Sequence, residues 1–115
     1  MAFSLTTAQM RARTKDVTRR LGWWNLKPGT LLCAVEEGMG LKAGEKVKRI
    51  GMIRVLSVRR ERLDQMTCDQ GYGRAETIRE GFDEMTPAQF VTAFCASHRG
   101  CTPCSFVNRI EFDHL

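Results

Sequence analysis

No apolar run in this 115-residue sequence approaches the ~20 residues that a membrane-spanning helix requires. The opening stretch MAFSLTTAQMRAR also lacks the long apolar centre of a secretory leader. These two absences lead to the expectation of a cytoplasmic protein with no membrane partner. Cys33, Cys68, Cys95, Cys101 and Cys104 are an odd number of thiols, in a chain long enough to build a core without covalent staples. Reduced thiols are expected. A sustained alternation of strands with long helices is missing too, which argues against a doubly wound parallel sheet.

What is present is a globular balance of 43% hydrophobic and 27% charged residues. The length is near the commonest domain size, so a single domain over 1–115 is expected. The net charge of +5 is unevenly spread. Residues 1–75 carry 15 Lys and Arg against 7 Asp and Glu, whereas residues 76–115 carry 3 against 6. The centre of the basic half is 11–20, where Arg11, Arg13, Lys15, Arg19 and Arg20 face only Asp16. Such a cluster suits a phosphate or another anion, and equally a solvated basic face.

The residue pattern predicts an α+β fold. Phe3 and Leu5 alternate with small or polar neighbours as a weak first strand, and Thr6 or Thr7 can cap a helix over 7–13. The β-branched Val17 and Thr18 then predict an extended segment that ends at Gly22. Two phrases, LKPGTLLCAV and LKAGEKVKRI, each read as a turn with glycine at its fourth position leading into a strand. From Val47 to Val58 a long β-rich run carries Gly51, a natural place for a bulge, and long bent strands favour a small barrel. AETIRE at 75–80 predicts a helix stopped by Gly81.

Thr86, Pro87 and Gln89 form a capping box with an early proline. They open a helix over 86–98 that presents Phe90, Val91, Phe94 and Cys95 on one face and is closed by Gly100. The last run, SFVNRIEF, places Phe106, Ile110 and Phe112 on one face of a strand interrupted by Asn108, and such a strand is expected to close the sheet. Cys95-x-x-His98-x-x-Cys101-x-x-Cys104 has zinc-ligand residue types, but in one even run instead of two separated pairs, and Cys95 belongs to an apolar face. Neither a metal nor a cofactor is expected, and His114 reads as exposed.

Lys15-x-x-Thr18 followed by arginine, the LKPGT turn before a strand and REGF at 79–82 resemble, in that order, the signature of ASCH domains. The likeness spans nearly the whole chain. It implies a small PUA-like β-pseudobarrel flanked by short helices, with a pocket between barrel and helices. It also implies a link with RNA binding and with reading or processing modified bases. One subgroup of the family removes the acyl group from N4-acetylcytidine, and its catalytic lysine, threonine and glutamate match Lys15, Thr18 and Glu80. Glu76 and Glu84 lie close to the last of these. The sequence departs from that subgroup in Trp23-Trp24 and the longer LGWWNLKPG segment, while its overall pattern, GMGLKAGEK included, is similar to uncharacterised ASCH proteins of bacteria and phages.

Two functions are therefore expected. The first is a module that binds RNA, DNA or a modified nucleoside, with Arg13, Lys15, Arg19 and Arg20 on phosphate or base. Trp23 or Trp24 would offer a stacking surface, one ring turned inward and one outward or into the pocket. The second is a metal-free amidohydrolase in which Lys15 activates Thr18 and Glu80 protonates the departing amine. For that chemistry, Lys15 needs a lowered pKa. Residues three apart share a face in a helix but not in a straight strand, so a helix-to-strand junction near Asp16 is required. Without the chemistry, Lys15 is a phosphate contact, Thr18 a strand residue and Glu80 an ion-pair partner. A protein-binding platform is a third reading, for which no sequence feature speaks.

Overall fold

The computed structural model describes residues 1–37 and 46–115. Helix α1 (Thr7–Ala12) follows Thr6 and ends at Arg13, whose backbone is left-handed at φ 61°. Strand β1 (Val17–Arg20) comes next, then β2 (Leu31–Val35) after a turn in which Gly29 has φ +90°. The second glycine-bearing turn, LKAGEK, lies outside the described residues except for Lys46. Strand β3 (Arg49–Arg62) runs for 14 residues and is followed by α2 (Gln65–Cys68) and α3 (Gln70–Arg79). Helix α4 (Pro87–Ser97) has the expected capping box, with Thr86 and Gln89 each bonding the other's backbone. Strand β4 (Phe106–His114) ends the fold.

The four strands form one antiparallel sheet in the order β1-β4-β3-β2, curled into a half-barrel beside the four short helices. The curl has local causes. Register shifts fall between Ala34 and Val35, opposite Arg49–Gly51, and between Val55 and Ser57, which leaves Leu56 as an extra, exposed residue. A bulge of this kind bends its strand, and the extra residue puts alternate positions before and after it on opposite faces of the sheet. Ile53 and Val55 are thus buried on one face, with Phe112 opposite Val55, and Glu61 on the other, opposite Val107.

Two apolar clusters sit on the sheet. Phe3, Met10, Ala34, Ile53 and Phe112 pack under α1. Leu63, Met66, Phe90, Val91, Phe94 and Val107 pack under α2 and α4. Phe112 and Val107, an odd number of residues apart on β4, serve opposite faces. Burying one such side chain contributes about 1.5–3 kcal/mol, so both faces are anchored by the same strand.

Several expectations need correction. The Phe3–Leu5 segment is not a strand: only Ala2 bridges to Val35, Phe3 is core and Leu5 is exposed. Strand β4 does not close the sheet but lies at its middle, because both β1 and β3 pair with it. Phe106 is half-exposed, and Val107 takes the core position. Helix α3 begins five residues before Ala75, since Asp69 caps it by accepting from the Tyr72 backbone N–H.

Candidate functional site

The segment joining α1 to β1 is held from both sides. The Asp16 N–H donates to the Arg79 carbonyl at 3.0 Å, and the Asp16 carbonyl accepts from the Phe112 N–H at 3.0 Å. His114 is only partly exposed, against expectation, because its Nε2 donates to the Lys15 carbonyl at 2.7 Å. Residues 14–16 are irregular, and this is the junction that lets Lys15 and Thr18 reach one cleft. Gly81 completes the fit. Its φ is +92°, and a Cβ there would lie 3.0 Å from Gln9 Cγ and 3.5 Å from Lys15 Cβ.

That cleft has a volume of about 350 Å³ and is lined by Lys15, Thr18, Arg19, Arg20 and Glu80 on one side and by Phe82, Met85, Phe90, Phe94 and His98 on the other. The size is at the small end of the range for small-molecule sites, and the mixture of an apolar wall with a few convergent polar groups is their usual composition. Lys15 is 2% exposed. Its Nζ donates to the Glu80 carbonyl at 2.6 Å and to Glu80 Oε1 at 2.9 Å. Burial pushes the Lys15 amine below its ordinary value, Glu80 partly opposes this, and the nearby Arg20 and Arg19 charges add to it.

Thr18 Oγ1 accepts from Arg20 Nε at 3.1 Å. Arg20 also donates to the Ala2 carbonyl at 2.6 Å and lies 4.8 Å over the Phe3 ring. The guanidinium is therefore fixed by three partners and turned onto the Thr18 oxygen.

Behind the cleft, three buried cations face three buried carboxylates: Lys15, Arg19 and Arg109 against Glu61, Glu76 and Glu80. Arg19 donates to Glu80 Oε2 at 3.1 Å, to Glu61 Oε1 at 2.7 Å and to Glu76 Oε1 at 2.6 Å. Tyr72 bridges Glu61 and Glu76 through its hydroxyl. Burial works against the Arg19 charge, but Glu80, Glu61 and Glu76 outweigh it and hold the group firmly protonated. Burial likewise tends to raise Glu76, yet bonds from Arg109 and Arg19 bring its carboxyl down to about 2. Among the described residues, every buried side-chain nitrogen and oxygen has a partner. Full satisfaction is what makes a buried charge cluster tolerable.

The expected site residues thus divide. Lys15, Thr18, Glu80 and Arg20 meet in the cleft. Arg19 touches it, but its side chain is fully buried among carboxylates, so it is no surface phosphate contact. Arg13 is on another side: it donates to the Leu115 carbonyl at 3.2 Å and lines a separate cavity of about 180 Å³ with Met10, Met52 and His114. Trp23 and Trp24 are both nearly half exposed, neither is core, and neither lines the cleft. They lie in the loop after β1, where Trp23 has φ 59°, so strand alternation does not apply to them. Of the three neighbouring glutamates, Glu80 faces the cleft, Glu76 pairs with the arginines behind it and Glu84 is exposed.

The sequence does not single out Glu61, Tyr72 or Arg109, and it offers Glu76 only as a neighbour of Glu80. A usable signal existed for Arg109, a charge inside the apolar strand pattern VNRI that demands a buried partner. Among the described residues no group of three or more His, Cys, Asp or Glu side chains is arranged to hold a metal. Cys95 and Cys101 stand 3.7 Å apart as thiols, and His98 stacks on Phe94. No helix among the described residues is long and apolar enough to cross a membrane. Comparisons with protein-family models, with curated proteins and with solved structures find no match for the chain.

Proposed function

We propose that this chain is an ASCH-type domain with a PUA-like pseudobarrel, whose cleft holds a nucleobase or nucleoside and hydrolyses the acylamino group of an N4-acylated cytosine. The observation that carries the proposal is the meeting of Lys15, Thr18 and Glu80, the first and last of them 65 residues apart in the chain, in a single small cleft.

The local chemistry fits that role. A neutral lysine amine has two N–H donors and one lone pair, and the two Glu80 oxygens engage both donors. The lone pair is thereby left for the Thr18 proton, and burial of Lys15 favours the neutral form. The Thr18 oxygen forms a bond to the acyl carbon as its proton passes to Lys15 Nζ. The negative charge of the adduct builds on the former acyl oxygen, and Arg20, bonded to the adjoining Thr18 Oγ1, is the cation that stabilises it. Collapse of the tetrahedral adduct breaks the C–N bond, and Lys15 returns the proton to the departing cytosine amine. Water then attacks the Thr18 ester, again losing its proton to Lys15, which releases the carboxylic acid and restores the hydroxyl.

Glu80 takes a different part from the expected proton donor. Its Oε1 and Oε2 accept from Lys15 and Arg19, so it aims the amine and is a positioning residue.

The test is conversion of N4-acetylcytidine to cytidine and acetate, followed by chromatography. Lys15→Ala and Thr18→Ala are each expected to abolish nearly all turnover, because nucleophile and base act as a unit. The rate should rise with pH to a midpoint below the ordinary lysine value of about 10.4. No turnover of any N4-acylated cytosine by folded protein, or turnover that survives Lys15→Ala, would sink the hydrolase.

A second reading, a module that holds the base without reacting, is favoured by one observation: Thr18 Oγ1 bonds to Arg20 while Lys15 Nζ bonds to Glu80. It predicts saturable binding of a free nucleoside, or of a single base presented by RNA or DNA, with no product formed.

A further inference from the structure

Outside the polar network, two nucleophilic side chains stand together next to the cleft. Cys95 lies in the last turn of α4, and Cys101 follows six residues later. Both are free thiols, with their sulfur atoms 3.7 Å apart. The chain folds back between them: the His98 N–H donates to the Cys95 carbonyl at 3.4 Å, and the Cys101 N–H donates to the His98 carbonyl at 3.1 Å. Gly100 permits that reversal, with φ +78°. Both side chains also pack against the apolar cluster under α2 and α4, so backbone and packing together hold the two sulfurs in place.

The two thiols are not equivalent. Cys95 donates its S–H to Cys101 Sγ. Burial, together with that bond, pushes the Cys95 thiol up, so it keeps its proton near neutral pH. The thiolate is the attacking form in thiol–disulfide exchange, which makes Cys101, the accepting sulfur, the point where exchange starts.

The contact bears on the cleft because residues between the two sulfurs form part of its rim. Ser97 and His98 line it, as does Phe94 just before Cys95. His98 stacks on Phe94 with ring centroids 4.1 Å apart, and its Nδ1 lies 2.8 Å from the Phe94 carbonyl. A disulfide needs its sulfurs at about 2.05 Å, so closing the bond from 3.7 Å displaces the 96–100 segment and His98 with it.

We propose that Cys95 and Cys101 form a reversible disulfide by exchange with a low-molecular-weight disulfide, and that the oxidation state of this pair sets the position of His98 at the rim of the cleft. The Cys101 sulfur attacks one sulfur of the reagent, which releases one thiol and leaves a mixed disulfide on the protein. The Cys95 sulfur then attacks the Cys101 sulfur, gives up its proton and expels the second thiol. The pair loses two electrons and two protons, and the reagent takes up both as its two thiols. The exchange requires no ligand in the cleft, so it stands apart from the hydrolysis proposed above.

In the test, the reduced protein is treated with glutathione disulfide, quenched by alkylation at intervals and mapped by mass spectrometry of its peptides. The Cys95–Cys101 cross-link should form roughly tenfold faster than any other pairing of the five cysteines, and dithiothreitol should reverse it. In Cys95→Ser, glutathione should stay trapped on Cys101; in Cys101→Ser, its capture by Cys95 should be about tenfold slower. A first cross-link between other cysteines, Cys101 to Cys104 for example, overturns the proposal, as do mixed disulfides that persist on the wild type. Equal capture in the two variants overturns the order of attack. The wild-type map decides the pairing even where a serine variant fails to fold.

The consequence at the rim is read separately, from the two histidines. On oxidation the His98 ring protons should shift in the NMR spectrum, and those of His114 should stay in place. Oxidised protein with unmoved His98 signals overturns the link between the thiol pair and the cleft.

Discussion

Five cations crowd residues 11–20, and the fold puts four of them in two contrasting environments, with Arg20 half-buried at the cleft. Arg11 and Arg13 are exposed, the first with its side chain half in water beside Glu36, the second against a C-terminal carbonyl. Lys15 and Arg19 have essentially no exposed side chain and meet carboxylates from α3 and β3. Equal charges in neighbouring positions therefore have unequal consequences. The outer pair sits in high dielectric, where an ion pair contributes ~0–1 kcal/mol. The inner cations have lost their water, so each is stable only while its partners remain. A basic run in a sequence does not by itself point to an anionic ligand; part of this one is consumed inside the molecule.

The strongest way to break the inner set is Glu76→Ala. It removes the carboxylate shared by Arg19 and Arg109 and leaves two buried guanidinium groups short of a partner. Breaking a buried pair from one side costs about 3–5 kcal/mol, which should be read as a loss of that size in denaturant unfolding. A loss under about 1 kcal/mol would mean that the inner cations are no more dependent on their partners than Arg11.

The same carboxylate should be visible in acid. Its pKa is lowered in the folded protein from 4.5 to about 2, so the unfolded chain takes up the proton first as pH falls. The stabilisation is full above 4.5 and disappears as pH drops towards 2, an effect of roughly 3 kcal/mol at 1.36 kcal/mol per unit. Unfolding measured between pH 6 and 2 should show that slope in the wild type and not in Glu76→Gln. Lys15 gives a slope of the same sign in alkali. Its folded value is depressed, so between that value and 10.5 the unfolded chain holds the extra proton and stability rises with pH. Lys15→Met should flatten that rise.

How much of this was legible depended on sequence distance. The capping box at Thr86 and the glycine stop at Gly81 were readable because three or four adjacent residues decide them. The meeting of Lys15, Thr18 and Glu80 was readable only through resemblance, since 65 residues separate the lysine from the glutamate. The burial of Arg19 was not readable. Its fate is set by Glu61, Glu76 and Glu80, each 42 to 61 residues away, and nothing local distinguishes it from Arg13. Strand order failed for a similar reason: a strand at the chain's end looks terminal, and its insertion between β1 and β3 is a tertiary event. The tandem tryptophans misled because alternation presumes a strand, and the chain turns there at Gly22, with φ 136°.

A smaller effect belongs to the tryptophan that stands outside. Arg60 lies 4.7 Å from the Trp24 ring and 5.5 Å from that of Phe106, all on the surface. An exposed cation–π contact contributes about 0.5–1 kcal/mol. Trp24→Ala should lower stability by that much, and it should leave the proposed turnover of N4-acetylcytidine unchanged because the ring does not line the cleft. A tenfold fall in turnover by folded Trp24→Ala would move the tryptophan back into the site.

The smallest effect, and the sharpest control, is expected from the outer cations. Arg11 pairs with Glu36 across exposed surface, and Arg13 makes one bond to a main-chain carbonyl. Removing the first loses an interaction that salt already screens, with a Debye length of about 10 Å at 0.1 M. Removing the second loses a single exposed bond while the left-handed backbone at φ 61° stays as it is. Arg11→Ala and Arg13→Ala should each change stability by under about 0.5 kcal/mol, and the Arg11 effect should vanish on raising the salt to 0.5 M. Neither should alter the proposed hydrolysis of N4-acetylcytidine, since neither residue lines the cleft. If Arg13→Ala instead slowed turnover tenfold while its unfolding curve stayed in place, the outer half would share in the chemistry, and the line drawn between the two halves of the basic run at residues 14–16 would be in the wrong place.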